Sequence, residues 1–243
     1  MAGPSLLWPE SRAPSERPAV WINAAMSLDG KLAFSGGKRA TLSSPRDLDR
    51  VNGIRATSDA VLVGAGTIRK DNPSLRVHWE RLQGLPPLEG IRRDPPPYRV
   101  VLGSLRDIPA SAKIFDGTLP TLVFSTRGED VSRSQGSLKV VPCEGPRVDP
   151  MVPLRWMRSH GIRRLMVEGG SAVLSTFLQG GLFDRLTLFV APVLVGGSLA
   201  PSLVSGRETH TEGDLTRLRL TASEPLEGGL LLTLEPGVGP VVA

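Results

Sequence analysis

The stretch VEGGSAVLSTFLQGG (167–181) sets an acid and two glycines between an apolar run and a segment with helical spacing. Glu168 offers a carboxylate. Gly169, Gly170 and Ser171 fall where a strand would pass into a helix. Backbone N–H groups at a helix N-terminus are unpaired and carry the positive end of the helix dipole, so they suit a phosphate or pyrophosphate. Glycine lets an anion approach the backbone closely. Glu168 would then face another, polar part of the ligand. A tight strand-to-helix turn with a solvated Glu168 accounts for the same residues equally well.

A second glycine-rich junction, VGAGTIRKDNPSL (63–75), follows another apolar run. Gly64 and Gly66 allow close backbone approach, Thr67 adds a hydroxyl, and Asp71 lies one turn on. Neither GxGxxG nor the P-loop pattern is present, and taken alone this is a strand-end turn with Asp71 as a local cap. In INAAMSLDGKLAFSGGKRATLSSP (22–45), Asn23 lies on an apolar run and Lys31 follows an Asp-Gly turn. Two junctions and one loop would converge if their strands were neighbours, because ligands of open α/β sheets sit beyond the carboxyl ends of the strands.

The elements that must position these residues follow from periodicity and punctuation. Strands are predicted at 19–26, 59–67 with a Gly-rich end, 98–104, 119–128, 137–142, 164–168 and 185–195. A terminal antiparallel pair is predicted at 215–225 and 228–236. Ser44-Pro45 opens a helix to about Ala56, with Ser as N-cap and Pro at the first helical position. Further helices are expected at 150–160 and 171–179, the latter closed by Gly180-Gly181. In the terminal pair Arg217, Arg219 and Thr221 alternate with Leu218 and Leu220, which predicts one solvated face. Strands alternating with helices, then strands alone, predict an α/β fold with a mixed, mostly parallel sheet and an antiparallel C-terminal edge. Residues 1–17 read as a flexible tail, 18–236 as one domain with a Pro-rich loop insertion at 79–97, and 237–243 as a second tail.

The chain has 243 residues, with 29 Lys and Arg against 24 Asp and Glu. That balance favours anionic partners. Phosphorylated small molecules fit it; a nucleic-acid platform would show dense basic runs interleaved with aromatics, and the sequence has neither. The longest apolar stretch, 186–195, is too short to span a bilayer. The first residues lack a basic region followed by an apolar one, so no signal peptide is expected. Cys143, the single cysteine, allows no disulfide and no Cys-based zinc site within one chain. The expectation is a cytoplasmic protein without a metal site.

Taken together, NAAMSLDGKLA, LSSPRDLDRVNGIRATSDAVLVGAGTIRKDNPSLRV and VEGGSAVLSTFLQGGLFDRLTLFVAPVLVGG closely resemble the riboflavin-biosynthesis reductases. These are the stand-alone archaeal and fungal enzymes and the reductase half of the bacterial bifunctional deaminase–reductase. The match runs from about Val20 to Gly197. The deaminase signature HxE…PCxxC is not in this sequence. The resemblance implies a dihydrofolate-reductase-like fold and NADPH-dependent reduction of the ribose of a ribosylaminopyrimidine 5′-phosphate to a ribityl chain. It implies cofactor contacts at Gly64, Thr67 and Asp71, and a pyrophosphate turn at Gly169, Gly170, Ser171 and Ala172. It implies further cofactor contacts at Gly103 and Ser104, although Gly103 departs from the Asp often found there. Asn23, Lys31 and Glu168 match polar positions on the substrate side and are the catalytic candidates, with Glu168, Lys31 or water as proton donor. Arg55, Leu75 and His78 match positions near the substrate or its phosphate. Asn72 replaces a commoner Asp.

NADPH also needs a partner for its 2′-phosphate. Arg127, in the Ser-Thr-Arg after the fourth strand, is placed for it; an exposed loop arginine accounts for that residue equally well. The substrate is the 2,5-diaminopyrimidinone if reduction precedes deamination, and the 5-aminouracil if it follows. Two other possibilities are dihydrofolate reduction, for which Asp47 and Asp49 lack the expected context, and a non-catalytic nucleotide- or nucleic-acid-binding module. The apolar FVAPVLVGG run, together with the resemblance, predicts a homodimer.

Overall fold

The computed structural model describes residues 6–237 apart from 84, 86, 87, 89, 92, 93, 207 and 208. The expectations for 1–5 and 238–243, and part of that for 79–97, lie outside the described residues. Nine strands form one sheet among them: β1 (Ala19–Ser27), β2 (Ala60–Gly64), β3 (Tyr98–Leu102), β4 (Thr121–Ser125), β5 (Leu138–Pro142), β6 (Arg164–Gly169), β7 (Arg185–Ala191), β8 (Leu218–Leu226) and β9 (Gly229–Pro236). Their order is β5-β4-β3-β2-β6-β1-β7-β9-β8. Every pairing from β5 through to β7 is parallel; β9 runs antiparallel to both β7 and β8. The helices are α1 (Pro45–Thr57), α2 (Ala65–Asp71), α3 (Met151–Ser159) and α4 (Ser171–Gln179).

The inner strands read as unbroken apolar runs because both of their faces are covered; every residue of β2 is buried. On one face Ile22, Leu62, Val167 and Leu186 pack against Leu154 and Met157 of α3 and Leu174, Phe177 and Leu178 of α4. On the other, Trp21, Val61, Val63 and Met166 pack against Val51 and Ile54 of α1 and Ile68 of α2. Each such side chain removed from water contributes roughly 1.5–3 kcal/mol. The start of α1 is as the sequence predicts: Pro45 opens it, and the Ser44 hydroxyl accepts from the Asp47 amide at 3.2 Å.

Three features differ from the sequence reading. The Gly-rich turn after β2 is helix α2. It is only seven residues long with Gly66 inside, which lowers local helix propensity by about 1 kcal/mol, and tertiary packing of Ala65 and Ile68 outweighs that. Strand β7 stops at Ala191, before Val195, because Pro192 has no N–H to give the ladder. Residues 6–17 are seated on the body of the domain rather than loose. Trp8 meets Trp21 edge-on at 5.4 Å and donates to Thr57 Oγ1 at 2.9 Å. Arg17 forms a buried ion pair with Asp184 at 2.6 Å. The Pro- and Ser-rich composition hid these two anchors.

Candidate functional site

The two glycine bends meet. β2 and β6 are hydrogen-bonded neighbours, with Val63 opposite Gly169 after a register shift at Leu62/Val63. Their C-terminal ends therefore deliver the starts of α2 and α4 side by side. Gly170 has φ +74°, and a Cβ there would lie 2.8 Å from the Thr67 hydroxyl. A Cβ on Gly64 would lie 2.9 Å from a methyl of Val173. Larger residues at these two positions would force the bends apart. Gly103, at the end of β3, closes the third side: its Cβ position is 3.3 Å from the Ala65 methyl. Amides at the first turns of two helices thus border one strip, which is the chemistry a pyrophosphate requires.

Of the expected cofactor contacts, Gly64, Thr67, Gly103, Gly169, Gly170, Ser171 and Ala172 share this strip or its rim. Ser104 lies in the loop after β3. Its carbonyl and that of Arg106 accept from Arg69 of α2 at 3.1 and 3.0 Å. Asp71 is exposed at the last position of α2, followed by Asn72 in the left-handed conformation. Asn72 Oδ1 accepts from the Lys113 amide at 2.8 Å. Arg127 follows β4, beyond β3, with its side chain 43% exposed and paired to Glu129 at 3.1 Å.

A second group forms on the face of the sheet covered by α1. Glu168 accepts from Arg55 through both carboxylate oxygens. Arg55 also donates to the Arg76 carbonyl at 3.2 Å. Burial disfavours the Arg55 guanidinium charge, but the adjoining Glu168 carboxylate more than reverses this, so its pKa lies above the ordinary arginine value. In register, Asn23 of β1 lies one residue beyond the pairing of Ile22 with Val167, and so beside Glu168. Thr187 of β7 is the direct partner of Asn23 on the other side. Glu168, Asn23 and Thr187 therefore form a polar row across β6, β1 and β7.

Asn23 Oδ1 accepts from Arg50 Nη2 at 2.6 Å and from the Thr187 hydroxyl at 2.8 Å. Arg50 is paired to Asp47, with both side chains almost fully buried. The sequence reading missed Arg50 and Thr187. The available signal was Asp47 and Arg50 three residues apart, on the side of α1 that also carries Ile54.

The remaining candidates are less tightly gathered. Leu75 is buried in the core beneath α1, with φ +52°. The backbone of His78 is clamped by Asn52 (2.7 and 2.6 Å), and its ring is half exposed against Glu80. The Lys31 ammonium donates to Ser202 at 3.4 Å, and its amide to the Ser27 hydroxyl at 2.9 Å. The structure does not join Lys31 to Glu168 or Asn23.

A mostly parallel sheet with an antiparallel edge, flanking helices and glycine bends meeting at the C-terminal ends of β2, β3 and β6 is the dihydrofolate-reductase-like α/β class. Residues 18–232 match the RibD C-terminal domain family, and the chain belongs to that family. It is 36% identical over 219 residues to the 2,5-diamino-6-ribosylamino-4(3H)-pyrimidinone 5′-phosphate reductase of Methanothermobacter thermautotrophicus, covering 89% of this chain and 97% of that one. It is 34% identical over 227 residues to the riboflavin biosynthesis protein RibD of Bacillus amyloliquefaciens, covering 91% of this chain but 58% of that protein. Among solved structures, Acinetobacter baumannii RibD superposes with a TM-score of 0.72 at 24% identity, over 91% of this chain and 58% of that one. The chain thus spans rather more than half of these two bacterial proteins and nearly all of the archaeal one. Among the described residues no helix is long and apolar enough to cross a membrane.

Proposed function

We propose that the protein reduces the ribose of 2,5-diamino-6-(ribosylamino)-4(3H)-pyrimidinone 5′-phosphate to the ribityl chain in riboflavin biosynthesis, using NADPH. The observation that carries this is the meeting of the Thr67 and Gly170 bends beside the polar row of Glu168 and Asn23. An archaeal relative bearing the name of this reductase is matched over nearly its whole length. When bound, the nicotinamide supplies a hydride for C1′ of the sugar.

The protein's own groups do the rest. The amides at the starts of α2 and α4 hold pyrophosphate. Arg127 is the candidate for the 2′-phosphate. Glu168 already accepts from Arg55 through both oxygens. Its role is to accept from a sugar hydroxyl and orient the ring, which leaves Lys31 or water as proton donor. Arg55, carrying the positive charge, and the half-exposed His78 are the candidates along the approach for the sugar phosphate; the Leu75 side chain, buried in the core, is set back from it.

Loss of NADPH absorbance is followed with the diaminopyrimidinone, with 5-amino-6-(5-phosphoribosylamino)uracil, and with dihydrofolate. Turnover of the first alone is expected. Preference for the uracil would place reduction after deamination. Turnover of dihydrofolate alone would reject the assignment. The two acids of α1 argue against dihydrofolate: Asp47 is buried and bound by Arg50, and Asp49 is paired to Arg81 at 3.0 Å.

The cytoplasm is the proposed compartment and a homodimer the proposed assembly. The leucine side of β8, expected to be covered, is open: Leu218 and Leu220 are 39% and 55% exposed. A second copy packed there would bury both, joining the antiparallel edges. Light scattering at micromolar concentration should give twice the chain mass, and Leu220→Lys should give the monomer.

A further inference from the structure

Asn23 sits at the centre of a buried hydrogen-bond unit whose connectivity leaves one group unused. Arg50 is a donor only, so the Asn23 atom that Nη2 meets at 2.6 Å must be the amide oxygen. The Thr187 hydroxyl gives its single proton to that same oxygen at 2.8 Å. Its two lone pairs are filled by Trp21 Nε1 at 3.0 Å and Arg50 Nη1 at 3.2 Å. Asp47 Oδ1 accepts from Arg50 Nε at 3.0 Å and Nη2 at 2.7 Å, fixing the plane of the guanidinium. Thr187 has no hydrogen-bonding capacity left, and Asn23 Oδ1 has both lone pairs taken. Among the described residues Asn23 Nδ2 donates to nothing. It stands beside Glu168 in the polar row, and the residue retains 7% exposure.

This unit is not what stability alone would select. Asp47 and Arg50 are 1% and 2% exposed, and Asp47 Oδ2 is buried without a partner. A buried ion pair with an unsatisfied oxygen is no more stable than well-packed apolar residues of the same volume. What it gives in return is one orientation of one amide.

We propose that Asp47, Arg50 and Thr187 are positioning residues that lock the Asn23 side chain so that its N–H2 group donates to a hydrogen-bond acceptor of the substrate. The substrate half of this rests on the function proposed above. The unit selects for an acceptor in the bound sugar or pyrimidine and against a donor at the same place, because a locked amide cannot turn its oxygen forward.

Thr187→Val keeps the shape and removes the hydroxyl; Thr187→Ser restores it. The chain contains three asparagines, Asn23, Asn52 and Asn72. Selective 15N-asparagine labelling therefore resolves the Asn23 side-chain amide directly, without any ligand. In Thr187→Val the Asn23 amide pair should shift or broaden while those of Asn52 and Asn72 stay in place, and Thr187→Ser should return it. In parallel, KM for the diaminopyrimidinone should rise about tenfold in Thr187→Val with kcat and the NADPH Kd within twofold of wild type; Thr187→Ser should remain within about twofold on every parameter.

A valine variant with an unmoved Asn23 amide overturns the positioning unit. A moved amide with unchanged KM overturns the donation to substrate. An equal loss of NADPH affinity marks Thr187 as merely structural and overturns both. Should the wild type turn over neither pyrimidine, the donation to substrate is overturned along with the proposed function, and the amide spectrum still decides the positioning unit.

Discussion

The strands β6, β1 and β7 present two unlike faces. Toward α3 and α4 they show Val167, Ile22 and Leu186, met by Leu154, Phe177 and Leu178. Toward α1 they show, at the C-terminal end, Glu168, Asn23 and Thr187, met by Arg55 and Arg50. The first face holds the sheet by burial, which is non-directional and tolerant of shape-conserving change. The second depends on direction: Arg55 fixes Glu168, Arg50 fixes both Asn23 and Thr187, and Asp47 fixes Arg50. Alternation along a strand gives both faces to the same few residues, so at the C-terminal ends of these strands packing and polar contacts fall on opposite sides, while Trp21 and Met166 add an apolar cluster on the α1 side.

If that separation is real, damage to the two faces should read out differently. Leu154→Ala, at a fully buried position of the apolar face, should lower unfolding free energy by about 2–5 kcal/mol. Activity per folded molecule should stay within about twofold, a negligible 0.4 kcal/mol. Calorimetry alongside an active-site-normalised assay would show it. A collapse of turnover in the folded fraction would mean that the apolar face also sets the site.

Glu168→Gln is the converse. Loss of the carboxylate leaves Arg55 partly buried without its counter-charge, so some stability is lost. The larger effect should be on kcat, lowered about a hundredfold or more, roughly 2.7 kcal/mol, with the NADPH Kd little changed. Turnover within about tenfold of wild type, roughly 1.4 kcal/mol, would make Glu168 a bystander and erase the functional half of the comparison.

How much of this was readable beforehand follows the same division. The apolar face was legible, because runs such as AVLVG and RRLMV need no partner to be recognised as strands, and Ser44-Pro45 announces α1 by local chemistry alone. The glycine bends were legible as junctions but not as a pair, since their contact depends on β2 lying next to β6, more than a hundred residues away in sequence. Helix α2 was lost to Gly66 and its own shortness. The polar face was half legible. Asn23, Arg55 and Glu168 stood out through resemblance, whereas Arg50 and Thr187 look like an ordinary helix arginine and an ordinary strand threonine until the β1–β7 register places them together.

Arg127 tests how far the ligand strip extends from this centre. It follows β4, three strands from β6 and so about 14 Å away at the usual strand spacing, and its side chain is engaged only with Glu129. Arg127→Ala should raise KM for NADPH up to about tenfold, roughly 1.4 kcal/mol, and leave NADH unaffected. An equal change for both cofactors would confine the strip to β2, β3 and β6.

The smallest effect is expected outside both faces, where Asp29 ties the turn after β1 to the loop after β7. Its carboxylate accepts from the Ser27 hydroxyl at 2.5 Å and from the amides of Val195 and Gly196 at 3.0 and 2.7 Å. The Ser27 hydrogen bond first, then those two amides, lower its pKa from 3.8 to about 2. A carboxyl whose folded pKa is depressed contributes fully above its unfolded value and loses that contribution as pH falls through the folded one. The tie should therefore be intact above about pH 4 and released as the pH approaches 2. Asp29→Asn should speed hydrogen exchange at Val195 and Gly196 relative to wild type at pH 7, and that ratio should fall toward one as the pH is lowered from 4 to 2. Because Asp29 is exposed, the midpoint of global unfolding should hardly move. A ratio near one at pH 7 would show that the loop is held by the bridge between Lys31 and Ser202 instead. Lys31 would then be anchored from the β7 side, independently of the Asp-Gly turn that precedes it.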